Sequence, residues 1–365
     1  MVEIFQHTDQ LLYVLSGLLL GGYYAYYLWP IRRSIKPEVT IPSATPLSLI
    51  IAYKNEEHNL KAHLPLWLAQ DHHDFEIVLV NDHSDDRGPE FLAKQPDQRL
   101  KLIELENDHG KKAAIQLGIS KASNSCLLFT DADCKPLSRK WFEKMTAPLA
   151  NGKGIVVGYS GFYAKSTLLN AIQRYENCTN TLQNEALIAK GRAYMAVGRN
   201  LAYRKELLRK PLAPESNAIL SGDDDLLVNQ LSRNGNTVFV GGPAAHTISS
   251  AASSWSTYFF QRRRQLEAGK FYKRSDRLKL GALGTAQLVF NLLFIKLLFD
   301  KDFQSYILAI FVLKVSLQCL VYFGPLKRLG EIQLCWLSPL LEIIYLPIIS
   351  FVGISQYLYK VDRWK

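Results

Sequence analysis

The chain has 365 residues, enough for two ordinary domains or for one domain with a set of membrane segments. Its net charge of +10 and pI near 9.2 would admit nucleic acid, an anionic membrane face or a phosphorylated substrate, but the basic residues gather beside apolar segments (Arg32, Arg33, Lys36; Arg262, Arg263, Arg264, Lys270, Lys273, Arg274). That placement, with no zinc-finger or basic-zipper spacing, favours a membrane face over nucleic acid.

Residues 11–29 carry no charge and are long enough to cross a bilayer as a helix. Tyr and Trp crowd its far end and Arg32, Arg33 and Lys36 follow, which puts that end in the cytoplasm; with no basic segment before the apolar run, the helix reads as a retained anchor. A proline-punctuated linker from Pro37 to Pro46 comes next. Leu47 to Tyr53 reads as a buried strand, 55–69 as a helix, Phe75 to Val80 and Leu100 to Glu104 as strands, Lys111 to Lys121 as a helix and Cys126 to Phe129 as a strand. This alternation predicts an α/β domain with a mostly parallel sheet and ligands at the C-terminal ends of its strands.

Further on, Gly154 to Gly161 reads as another strand, 166–190 as a helix, and Arg192 to Tyr203 as a loop entering a strand. Leu226 to Leu231 is an amphipathic run closed by Asn234-Gly235-Asn236. Trp255 to Tyr272 is both aromatic and basic and suits a membrane interface. Three more apolar spans, 280–299, 303–323 and 334–353, are interrupted by Lys296, Lys314 and Glu342, which must face protein, water or a headgroup. A full crossing by the last span puts Lys360, Arg363 and Lys365 outside, against the distribution of positive charge, so Pro339 and Pro347 suggest a broken or re-entrant path. The division expected is an anchor with its basic flank over 1–36, a catalytic domain over 45–250, interfacial amphipathic helices over 251–279 and an apolar region over 280–365. Five cysteines without a Cys-x-x-Cys imply neither a disulfide framework nor a zinc site, consistent with a reduced compartment for the soluble part.

Chemistry concentrates at Thr130-Asp131-Ala132-Asp133, where two carboxylates follow a buried strand. On an extended backbone residues two apart point the same way, so Asp131 and Asp133 can share a ligand. They repel unless a cation lies between them, and all-oxygen ligation suits Mg²⁺ or Mn²⁺ bridging to a diphosphate. A second acidic run, Asp223-Asp224-Asp225, exceeds what a helix start requires.

With Tyr53-Lys54-Asn55-Glu56-Glu57, Asn81-Asp82-His83-Ser84-Asp85-Asp86, Gly110-Lys111-Lys112-Ala113 and Gln261-Arg262-Arg263-Arg264, these runs resemble, in order, the motifs of the membrane-bound family 2 glycosyltransferases, whose catalytic domain has the GT-A fold. The resemblance covers about residues 45–275. It implies an opening loop with Glu56, a nucleotide-base contact at Asp82 in an Asp-Asp-Gly-Ser-x-Asp-like turn, a nucleotide-side cation at Lys111, a metal site at Asp131 and Asp133, a general base in the Asp223-Asp224 pair and donor contacts from Gln261 and Arg264. Anchoring the comparison on Gly235 puts the base at Asp224, the favoured choice, whereas an Asp-x-Asp-Leu ending puts it at Asp223. Asp225 is left to capping or a supporting hydrogen bond. Arg264 is assigned to diphosphate, and Arg262 and Arg263 to lipid headgroups.

Displacing a nucleoside diphosphate needs charge neutralisation on the leaving group and a base for the acceptor hydroxyl, and these residue types supply both. Processive members of the family continue Gln-x-x-Arg with Trp, and here the position is Gln265. The expectation is therefore an inverting hexosyltransferase making one transfer from a UDP- or GDP-sugar, UDP foremost, to a membrane lipid such as a ceramide, diacylglycerol or polyprenyl-linked saccharide. The expected setting is the bacterial inner membrane, with the catalytic domain in the cytoplasm. The rival expectations are a processive synthase or polyprenyl-phosphate glycosyltransferase, and a non-catalytic nucleotide-sugar-binding protein.

Overall fold

A computed structural model of the protein describes residues 2–32, 45–106, 108–209, 223–299 and 304–355. Helix α1 (Val2–Tyr23) runs through a π-helical turn, Tyr24–Leu28, into the short α2 (Trp29–Ile31). The α/β part then begins with β1 (Leu47–Tyr53), α3 (Glu57–Leu68), β2 (Phe75–Asn81), α4 (Gly88–Ala93), β3 (Leu100–Glu104), α5 (Lys111–Lys121) and β4 (Cys126–Phe129). It continues with β5 (Lys135–Pro136), α6 (Trp141–Ala150), β6 (Ile155–Gly158), β7 (Ser160–Phe162), α7 (Leu168–Ala189), β8 (Leu201–Arg204), α8 (Asp223–Leu231), β9 (Thr237–Val240) and β10 (Thr247–Ser249). Last come α9 (Trp255–Ala268), α10 (Arg274–Leu297), α11 (Gln304–Arg328) and α12 (Ile332–Ser355).

Seven strands form a sheet in the order β3-β2-β1-β4-β8-β6-β9. All neighbours pair in parallel except β8, which is antiparallel to both β4 and β6. The central strands are continuous apolar runs because both of their faces are covered. In β1, Leu47, Leu49 and Ile51 enter one core while Ile50 and Ala52 enter the other, and β4 divides Cys126 and Leu128 from Leu127 and Phe129 in the same way. The run read as one strand over Gly154 to Gly161 is two: β6 stays in the large sheet, and after Tyr159 β7 joins β5 and β10 in a second sheet. The cause is Asn200, fully buried, whose Nδ2 donates to the Tyr159 carbonyl at 2.8 Å and the Ala245 carbonyl at 2.7 Å. Trp141 Nε1 donates to its Oδ1 at 3.0 Å, so this one amide fastens three segments at the point where the strand changes sheet.

Four helical stretches, Thr8–Ile31, Arg274–Leu297, Ser305–Arg328 and Ile332–Ser355, are long and apolar enough to cross a membrane. Tyr13 stacks on Phe290 at 4.6 Å and donates to the Ile307 carbonyl at 3.0 Å, which gathers α1, α10 and α11. Lys314 and Glu342 answer each other at 2.7 Å, with Gln318 and Asn291 bonding the same carboxylate at 3.0 and 2.9 Å. Lys296 pairs with Asp9.

Helix α12 departs from the sequence expectation. It is unbroken through Pro339 and Pro347. Pro339 has no N–H for the Cys335 carbonyl, but Ser338 Oγ donates to that oxygen at 2.8 Å and Cys319 Sγ approaches it at 3.6 Å, so the freed acceptor is satisfied without a break. At about 1.5 Å per residue the helix is roughly 36 Å long, yet its start and middle touch α7 of the α/β part and its end touches α9. Glu331, just before it, receives Arg174 Nε at 3.2 Å; Tyr345 donates to Glu176 at 2.8 Å; Arg263 donates to Ser355 at 2.9 Å. A helix held at three points along its length lies along α7 and α9 rather than leading away from them. Cysteines placed at Lys327 and Ile354 in a background without the native thiols are therefore expected to react with an impermeant thiol reagent from the same side of the membrane. Labelling from opposite sides would show that α12 crosses.

Candidate active site

The sheet delivers the acidic residues to one edge. Asp131 follows β4, and the chain turns there, the Cys134 N–H donating to the Asp131 carbonyl at 3.0 Å. Asp131 and Asp133 are thus brought to the same cavity by a turn, not by the extended backbone the spacing suggested. Burial pushes the Asp133 carboxyl above its ordinary range, Asp131 pushes it further, and Arg199 partly opposes them; Glu56 adds to the repulsion. Lys111, at the start of α5, places its ammonium on Asp131. Burial works against that charge, but Asp131, Asp224 and Asp133 outweigh it and raise the lysine's pKa.

Asp224 sits in the first turn of α8, where a carboxylate is favoured by the helix dipole. It packs against the backbone of Gly198: a Cβ built there would lie 1.8 Å from Asp224 Oδ2. Asp225 turns the other way, accepting the Ala196 N–H at 3.2 Å and bonding Tyr272. Burial, and then the adjacent Asp224, push its pKa up to about 7. It supports the loop that carries Gly198, the supporting role left open for it. The side chain of Asp223, the other candidate base, lies outside the described residues, as do Ser221 and Gly222.

Helix α9 forms one wall of the site. Gln261 and Arg264 line the cavity, and burial lowers the Arg264 pKa more than Asp131 raises it. Arg262 and Arg263 do not face headgroups as expected. Arg262 is turned inward, its Nε 2.7 Å from Glu176, a carboxylate that also accepts from Tyr258 at 3.1 Å; Arg263 reaches Ser355. The reason is electrostatic, since a carboxylate only 2% exposed draws the nearest guanidinium to itself.

Asp82 and Glu56 flank the cavity rather than line it. Asp82 is buried behind the α5 entrance and accepts the Gly110 N–H at 3.0 Å, next to Lys111. Glu56 precedes α3 and accepts from Asn59 at 2.6 Å. Four contributors escaped the sequence reading: Glu176, Gly198, Arg199 and Asn200. Arg199 lies over the Phe162 ring at 4.5 Å and donates to Ser249 Oγ at 2.9 Å, on the cavity wall facing Asp133. The run Val197 to Tyr203 was visible as a loop entering a strand, but nothing in its spacing reveals contact with the acidic residues.

The cavity measures about 770 Å³ and changes character along its length. Lys111, Asp131, Asp133, Asp224, Gln261 and Arg264 line the end at the sheet. Leu280, Leu283 and Gly284 of α10 and Tyr345, Leu346 and Ile349 of α12 line the part between those helices, together with the polar Arg277, Gln287 and Glu342; both helices are apolar enough for a membrane. The donor set at the sheet end fits a hard divalent cation. Asp131 and Asp133 offer only oxygen, and the raised Asp133 pKa reports a repulsion that a cation relieves.

The sheet order, with carboxylates gathered at the strand ends, is that of the GT-A fold. Residues 48–211 match the family model described as Glycosyl transferase family 2. The solved structure of mannosyltransferase PcManGT from Pyrobaculum calidifontis, in complex with GDP-Man and Mn²⁺, shares the fold with a TM-score of 0.58 at 16% identity, covering 95% of this chain and 99% of that one. Among curated relatives, the poly-beta-1,6-N-acetyl-D-glucosamine synthase of Staphylococcus aureus (strain COL) is 28% identical over 118 residues, 32% of this chain and 29% of its own. Glycosyltransferase AglE of Haloferax volcanii is 27% identical over 184 residues, 49% of this chain and 58% of its own. The chain therefore spans between about a third and three-fifths of the curated relatives it matches.

Because the Gly198 backbone and the Asp224 carboxylate are in direct contact, Gly198→Ala is expected to displace that carboxylate. Turnover should fall by about 100-fold, in line with what a misplaced reacting group costs, while thermal stability changes little. Wild-type kcat in this variant would show that Asp224 need not occupy the position seen here.

Proposed function

We propose that the protein is an inverting glycosyltransferase that moves one hexose from a UDP- or GDP-sugar to a hydroxyl of a membrane lipid or lipid-linked acceptor. The observation that carries this reading is the cavity that joins the carboxylate cluster to the space between α10 and α12, two helices long and apolar enough for a membrane. A donor diphosphate belongs at the charged end, and an acceptor with a lipid tail can reach the same point from the apolar end.

In this mechanism Asp224 accepts the proton of the attacking hydroxyl, and Gly198 leaves room for the carboxylate. Attack comes from the face opposite the leaving group and inverts the anomeric carbon. Lys111 and Arg264 meet the charge that grows on the departing diphosphate. Asp131 and Asp133 would hold Mg²⁺ or Mn²⁺, which supplies further neutralisation of the leaving group when bound. Asp82, beside the α5 entrance, and Glu56, at the start of α3, orient the donor from the flank of the cavity. Gln265 bonds Arg262 and is exposed, so it supplies no ring on which an acceptor sugar can stack. The membrane placement proposed is an inner membrane with the α/β part on the cytoplasmic side.

A second reading, a processive synthase, is favoured by the match to the S. aureus polysaccharide synthase. The two are separated by incubating detergent-purified protein with UDP- and GDP-sugars, Mg²⁺ or Mn²⁺ and a panel of lipids, then weighing the lipid products. The expected product carries one added hexose, and Asp224→Asn lowers its rate by about 10²- to 10⁴-fold, the usual scale for a lost general base. Long polymer would establish the second reading. Full turnover in Asp224→Asn would remove Asp224 from the role of base.

A further inference from the structure

His83 occupies a position that the resembled Asp-Asp-Gly-Ser turn gives to glycine, and its backbone shows why: φ is +54°, in the left-handed region. The turn is fixed on both sides, with the Ser84 N–H donating to Asn81 Oδ1 at 3.1 Å and the Asn55 N–H to Ser84 Oγ at 3.0 Å, so His83 cannot relax out of that conformation. Histidine, like the asparagines Asn55 and Asn234 of this chain, tolerates that region, so the ring is held in a fixed direction. That ring has two neighbours. Its centroid is 4.3 Å from that of His109, tilted by 39°, and its Nδ1 is 3.4 Å from Asp82 Oδ1.

One nitrogen from each imidazole and one oxygen of Asp82 all lie within 4.8 Å of one another. Two imidazoles and a carboxylate form a nitrogen-rich set that suits zinc, unlike the all-oxygen pair at Asp131 and Asp133, which suits a harder ion. Tetrahedral zinc needs ligand atoms about 3.3 Å apart at its usual bond lengths, so small rotations of the two rings complete the set. The Gly110 N–H on Asp82 already orients the carboxylate, in the manner of an outer-shell partner. The two rings lie too close together for a nucleobase to enter between them, which argues for an ion over a stacking clamp.

We propose that Asp82, His83 and His109 form a zinc site, separate from the carboxylate pair, and that zinc bound there competes with the nucleotide donor. Competition follows because the ion takes the Asp82 carboxylate. That second part rests on the donor reading above, in which Asp82 meets the nucleotide base; zinc binding itself does not.

The test uses full-length protein in detergent, stripped with a chelator and titrated with zinc against a chromophoric chelator. Wild type, His83→Gly, His109→Ala and Asp131→Asn are compared. The expected result is one zinc bound by wild type and by Asp131→Asn, with binding at least about tenfold weaker in each histidine variant. In assays at saturating Mg²⁺, zinc should raise the donor KM of wild type at constant kcat and leave that of His83→Gly unchanged. Equal zinc affinity in wild type and both histidine variants would overturn the site, as would zinc lost only in Asp131→Asn. Zinc bound as expected with an unaltered donor KM would uphold the site and overturn the competition, and with it the assignment of Asp82 to the donor base.

Discussion

The contact on which the rest of the arrangement depends is made by Glu176. This buried carboxylate of α7 accepts from Tyr258 of α9 at 3.1 Å and from Tyr345 of α12 at 2.8 Å, and it lies 2.7 Å from Arg262 Nε. One side chain therefore joins the α/β part to the helix that closes the active site and to the apolar helix beneath it. A buried ion pair adds little net stability against an apolar replacement, but loss of one partner leaves a charge stranded, so the geometry is specified strongly even where the stabilisation is small. Arg262 and Arg264 both line the cavity, but Arg262 answers Glu176 while Arg264, two positions further along α9, is the one that responds to Asp131.

A second constraint is the number of carboxylates gathered at the strand ends. Asp131, Asp133, Asp224 and Asp225 all line one cavity, and burial alone would favour their neutral forms. Lys111 and Arg199 offset part of this repulsion within the protein, Lys111 on Asp131 and Arg199 toward Asp133. The remainder is a site that favours cations and the phosphates they accompany. The turn after β4 and the close approach of Gly198 to Asp224 set the positions of these groups, and Thr130 Oγ1, donating to the Arg199 carbonyl at 3.0 Å, ties the two segments together.

Much of this was legible in the sequence where burial is two-sided. The strands β1, β2 and β4 are apolar without interruption because cores lie on both faces, and the acidic motifs follow directly from strands that could be placed. Less accessible was anything decided by a distant partner. Glu176 is a single acid within a helical run, and the residues it binds lie 82 and 169 positions away. The split of β6 from β7 depends on an asparagine 41 positions beyond Tyr159. Hydropathy identified α12 as long and apolar, but the same composition serves a helix that crosses a bilayer and one that lies between bilayer and protein. Asp131 and Asp133 were found for the right chemistry, although a turn rather than strand alternation brings them together.

The central claim is that the charged and apolar ends of the cavity serve one reaction, and Gly284 offers direct access to it. This residue lines the apolar end, and a Cβ placed on it meets nothing within 4 Å. The most direct measurement compares lipid glycosylation with acceptor-independent hydrolysis of the nucleotide sugar in Gly284→Trp. A lipid that enters between α10 and α12 requires transfer to fall by at least about tenfold while donor hydrolysis and donor KM stay at wild-type values, because filling that end removes only the acceptor's space. Unchanged transfer to the lipid in a folded Gly284→Trp protein would contradict the account.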